Sequence, residues 1–157
     1  MPFRLDHINV WALDDGEDWT LVDTGLRTEE TAAVWERLTS VPPLDRALSR
    51  VIVTHMHPDH IGMAGWLARK YGVRLWISRL EYLACRVLMS DTSRDAPADA
   101  LRFYVEAGWS PTAMDAYRAR FGSFGKSIYA LPDSYKLIQC WRRPRTDPLI
   151  EVMPIQI

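Results

Sequence analysis

The feature that most constrains this chain is an abrupt change of character at one point. "RVIVT" (50–54) is a continuous run rich in β-branched residues, and "HMHPDH" (55–60) follows it at once. Short unbroken apolar runs are typical of strands buried on both faces. A helix bounded by glycines, "GMAGWLARKYG" (62–72), and another strand, "VRLWIS" (73–78), come next. The centre therefore reads β-loop-α-β, the unit of a parallel strand pair. Three of the chain's four histidines fall in the loop of that unit. Open α/β sheets place their sites at the C-terminal ends of such strands.

The flanks extend this α/β pattern. "HINVWAL" (7–13) and "WTLVDT" (19–24) read as two strands of an antiparallel hairpin, with "DDGED" as the turn. "TEETAAVWERLTS" (28–40) reads as a helix with polar capping options at Thr28, Glu30 and Thr31. Its apolar stripe is Ala32, Val34, Trp35 and Leu38. Beyond Arg79 three helices are expected, over 79–90, 96–107 and 111–121. Asp95 and Ser110 have N-cap chemistry, and Gly108 and Gly122 are suitable stops. "YKLIQCW" and "PLIEVMPIQI" near the end are further strand candidates, and no linker divides the chain into two domains.

Composition narrows the function. The net charge of −1 provides no basic field for nucleic acid, and Arg142, Arg143 and Arg145 read as a solvated cluster. The two cysteines, Cys85 and Cys140, form neither a disulfide framework nor a zinc-ligand pair, and Cys85 suits a small buried hydrophobe. No apolar run approaches the ~20 residues that span a bilayer. The N-terminus lacks a signal-peptide core. A cytoplasmic location is the default expectation. The seven tryptophans are spread through core elements and read mainly as packing.

His55 and His57 are separated by one residue. In extended chain such side chains point the same way, so two imidazoles converge on one point. Pro58 then turns the chain, which lets Asp59 and His60 face a neighbouring position. Imidazole and carboxylate donors suit Zn²⁺, Fe or Mn. The alternative is a polar strand-to-helix loop in which Asp59 or His60 caps the next helix.

"THMHPDHIGMAG" preceded by "WTLVDTG" resembles the metallo-β-lactamase superfamily, with its glyoxalase II-like and lactonase-like metallohydrolases. The resemblance covers roughly residues 3–136. It implies the N-terminal half of an αββα sandwich, one domain with a helical insertion over 79–125. It implies His55 and His57 as ligands of a first metal, and Asp59 and His60 as ligands of a second. Asp23 is implied as a supporting residue. Asp59 is also the implied catalytic residue, orienting water. One or two Zn²⁺ ions, with Fe or Mn as substitutes, would acidify a bound water toward a pKa of ~7. The implied function is hydrolysis of a small-molecule ester, thioester or lactone through metal-bound hydroxide.

The family's later histidines have no counterpart after His60, and "IQCWRRPRTDPLIEVMPIQI" does not match its second half. Residues 137–157 therefore read as a non-matching tail of a truncated member. Cys140 and Asp147 are weak substitutes for the missing ligands. A catalytically silent member, or an interaction module with residual metal binding, is the alternative function. An uncovered sheet face implies either self-association or residues 135–157 folding back as substitute strands. Neither a nucleic-acid nor a membrane partner is expected. Trp109, Tyr104 and Tyr117 of the insertion either line a pocket or pack together.

Overall fold

The computed structural model describes residues 7–137 and 152–156. The hairpin forms as expected: β1 (Asn9–Asp14) pairs antiparallel with β2 (Trp19–Val22). His7 lies exposed ahead of β1 rather than within it. The helix α1 (Glu29–Leu38) starts at Thr28, whose side chain accepts from the Thr31 N–H. β3 (Leu48–Ile52) then lies parallel to β2. A single turn of helix, α2 (Pro58–Ile61), and α3 (Ala64–Tyr71) lead into β4 (Arg74–Ile77), parallel to β3. Gly72 closes α3 in the left-handed conformation, where a glycine carries no Cβ penalty.

The insertion consists of α4 (Arg79–Ser90), α5 (Ala98–Glu106) and α6 (Pro111–Arg120). Ser110 caps α6 as its chemistry suggests. Asp95 does not cap α5, which begins after Pro97 instead. A residue preceding proline is held out of the helical region, so Ala96 delays the start. A 3₁₀ turn over Phe124–Ser127 returns the chain to the body of the fold.

Two short strands from the end of the chain complete the sheet. β5 (Lys136–Leu137) adds parallel to β4, and β6 (Val152–Gln156) adds antiparallel to β1. The order is β5-β4-β3-β2-β1-β6. The chain thus folds back onto the sheet at its two edges. The remainder of the 137–157 tail, with Cys140, the arginine cluster and Asp147, lies outside the described residues.

One face of this sheet carries the core. Val10, Ala12, Leu21, Val51, Leu75, Ile77 and Ile155 are buried there with Trp35, Leu67, Tyr82 and Cys85 of the helices. The strand register puts Trp11, Val22, Ile52 and Trp76 in one row across the opposite face. Val22, Ile52 and Trp76 are half-buried, and Trp11 is exposed at 39%. The expectation of a strand buried on both faces is corrected accordingly. Val51 is fully buried, but Arg50 and Ile52 beside it are not. Burial pushes the free Cys85 thiol up to about 11, which fits a packing role. Among the described residues, no helix is long and apolar enough to cross a membrane.

Candidate metal centre

The histidine loop hangs between the C-terminal ends of β2 and β4. β3 makes its last sheet bond when the Val53 N–H donates to the Trp76 carbonyl, at 2.9 Å. The Thr54 N–H then turns to the other side and donates to Asp23 Oδ1, at 2.9 Å. Thr54 and His55 lie in a bend, so the extended His-x-His geometry expected from spacing is not what forms. The two imidazoles still meet. His55 Nε2 and His57 Nδ1 are 2.9 Å apart, and the His60 ring lies 4.0 Å from the His55 ring.

Asp23 organises this cluster from below. It is buried, follows directly on β2, and holds a positive φ of 62°, a region that aspartate tolerates better than most residues. The Thr54 hydroxyl donates to its carboxylate, at 2.8 Å to Oδ2. His60 Nδ1 donates to the same oxygen at 2.9 Å. That bond fixes the neutral His60 tautomer with its lone pair on Nε2. His60 Nε2 faces Asp59 Oδ2 at 3.7 Å.

A second chain of bonds runs through Thr54. Its hydroxyl proton is committed to Asp23, so its oxygen accepts from His55 Nδ1, at 2.9 Å. His55 Nε2 is left as the acceptor for His57 Nδ1. Burial, followed by the neighbouring His60 and His57, holds His55 below the usual histidine range, against the opposing charges of Asp23 and Glu81.

The backbone around the loop is closely packed. The Thr24 N–H and hydroxyl both donate to the His60 carbonyl, at 2.8 and 2.7 Å. Trp35 Nε1 ties α1 to the Thr24 carbonyl at 2.8 Å. A Cβ on Gly62 would lie 2.4 Å from the Pro58 carbonyl oxygen and 2.6 Å from that of Gly25. Gly62 of "HIGMAG" therefore lets its backbone touch the segment that begins at Gly25.

Nitrogen and carboxylate donors of the kind that suit Zn²⁺ gather in one place. His55 touches both His57 and His60, and Asp59 lies beside His60. Among the described residues, no set of three or more His, Cys, Asp and Glu side chains stands ready to hold one ion. His55 Nε2 is engaged by His57, and a metal bound there would displace that hydrogen bond. The donor chemistry suits a metal, with no ready-made cage among the described residues.

Two participants were missed from the sequence. Thr54 reads as the last residue of a strand, and only its position between Asp23 and His55 reveals its function as a bridge. Glu81 sits three residues after Ser78, the spacing of a helix capping box. It instead accepts from the Met56 N–H at 2.8 Å. The aromatic residues of the insertion pack on one another. Tyr104 stacks on Trp109 at 4.1 Å and meets Tyr117 at 4.8 Å.

Residues 4–129 match the model of the metallo-beta-lactamase superfamily. A beta-lactamase domain protein from Burkholderia ambifaria is 31% identical with a TM-score of 0.70, over 88% of this chain and 40% of that one. A metallo-beta-lactamase family protein from Thermus thermophilus shares the fold at 21% identity and a TM-score of 0.62, over 88% and 43%. The exodeoxyribonuclease WalJ of Streptococcus pneumoniae is 32% identical over 76 residues, which is 48% of this chain and 27% of the relative. The chain thus spans about a quarter of that curated relative and less than half of each solved structure.

Proposed function

Since the chain belongs to the metallo-β-lactamase superfamily, we propose that it carries the metal-binding half of a hydrolase acting on an ester, thioester or lactone. The observation behind this reading is the gathering of His55, His57, Asp59 and His60 above the buried Asp23. His55 and His57 would hold one zinc ion, and Asp59 and His60 a second. A bound metal supplies an acidified water and a Lewis acid for the carbonyl. Asp23 keeps His60 in one tautomer and, through Thr54, orients His55. Asp59, whose carboxylate faces His60 Nε2, would orient a water. A small-molecule substrate and a cytoplasmic setting belong to the same reading.

A site built from pairs of donors lacks the usual third protein ligand of catalytic zinc. The isolated chain is therefore expected to turn over far below the ~10 s⁻¹ of a typical enzyme. The deciding measurement is zinc stoichiometry by equilibrium dialysis, for the wild type and for His55→Ala combined with His57→Ala. Zinc should fall in the double variant. Equal zinc in both would overturn the reading.

A second reading is phosphodiester hydrolysis, favoured by the similarity to the Streptococcus exonuclease. Chelator-sensitive degradation of single-stranded DNA, with no turnover of thioesters or lactones, would select it.

A further inference from the structure

We infer that Glu81 is a positioning residue of the candidate metal centre, fastening the bend that brings His55 and His57 together. The inference rests on the metal-binding reading above. β3 lies between β2 and β4. The Val53 N–H points to β4 and the Thr54 N–H to Asp23, at the end of β2. Along extended chain this alternation would continue, and the Met56 N–H would point back toward the β2 side. It points instead to Glu81, which follows β4. The backbone has turned over within the bend at Thr54 and His55. One carboxylate holds the chain before the turn, and another holds it after. His55 lies between them.

The helix that carries Glu81 is itself firmly held. Ser78 accepts from the Glu81 N–H at 3.2 Å. The adjacent Tyr82 is buried, donates to the Pro132 carbonyl at 2.6 Å and stacks on Tyr135 at 3.9 Å. Cys85, one turn on, is fully buried in the core. A capping role alone would send the Glu81 carboxylate back to the Ser78 N–H. Its bond to Met56 takes it to a loop 25 residues away instead. Side chains that orient metal ligands without touching the metal commonly change affinity by 10–100-fold.

Two variants separate the hydrogen bond from the charge. Glu81→Gln keeps an acceptor for Met56, and Glu81→Met removes it at similar length and helix propensity. The full chain would be titrated with zinc against a chromophoric chelator. Amide hydrogen exchange at Met56 and imidazole ¹⁵N shifts would be read alongside. Glu81→Met should bind zinc ~10–100-fold more weakly, lose protection at Met56 and shift the His55 and His57 resonances. Glu81→Gln should stay close to wild type in all three. Zinc affinity unchanged in a folded Glu81→Met, or equal losses in both variants, would overturn the proposal. The Met56 amide in the wild type needs no variant: exchange at the rate of a free loop overturns it equally. A protected Met56 in a wild type that binds no zinc would reject the metal reading, while imidazole shifts in Glu81→Met would still support the positioning role.

Discussion

The histidine loop and the α5–α6 hairpin are both built on helices and turns, yet they are held by different forces. Around the loop, bonds join residues far apart in sequence: Thr54 to Asp23, His60 to Thr24, Trp35 to Thr24. Backbones there approach closely enough that Gly65 could not gain a Cβ without meeting the Ala130 carbonyl oxygen at 2.0 Å. In the hairpin, α5 buries no residue and α6 buries only Met114. Phe103 and Val105 are 64% and 60% exposed. Local aromatic stacking and i, i+3 pairs such as Arg118–Asp115 supply its cohesion. A substitution near the loop disturbs several segments at once, whereas one in the hairpin disturbs a single turn.

The contrast breaks if the two regions respond alike to comparable changes. Gly65→Ala should have the largest effect, because the clash is with backbone that cannot rotate away. Overpacking of this kind costs about 3 kcal/mol, read as a lower urea midpoint with unchanged slope. Asp23→Ala should come next. It leaves the Thr54 N–H and His60 Nδ1 without their acceptor, and losing part-buried hydrogen bonds to a carboxylate costs about 2 kcal/mol. The same variant should release the His60 tautomer, visible in its ¹⁵N shifts. Asp115→Ala removes an exposed ion pair and should change stability by less than about 0.5 kcal/mol. A loss there comparable to that of Asp23→Ala would mean the hairpin is coupled to the core more tightly than its burial indicates.

Much of the architecture was legible from local pattern. The hairpin, the parallel pair 50–54 and 73–78, and helices near 28–40, 79–90 and 111–121 follow from β-branched runs, glycine stops and hydroxyl caps. These signals act over a few residues, so a linear reading captures them. Asp95 shows the limit of that method, since a proline two positions on displaced the helix start. The gathering of the histidines was also anticipated, but through extended geometry. The structure reaches it through a bend, because the carboxylates of Asp23 and Glu81 pull the loop backbone to opposite sides.

The order of residues determined by itself that a strand rich in β-branched residues would end in a polar loop rich in imidazole, and that a helix and a parallel strand would follow. It determined the donor types that this loop offers a metal, imidazole and carboxylate. Only the tertiary structure decided which N–H each carboxylate would hold, which tautomer His60 would adopt, and that His55 would spend its free nitrogen on His57. It also decided which edge of the sheet each of the two last strands would take. These outcomes depend on distances between segments separated by tens of residues. No local propensity encodes such distances; they arise when the core closes and unpaired polar groups must find partners.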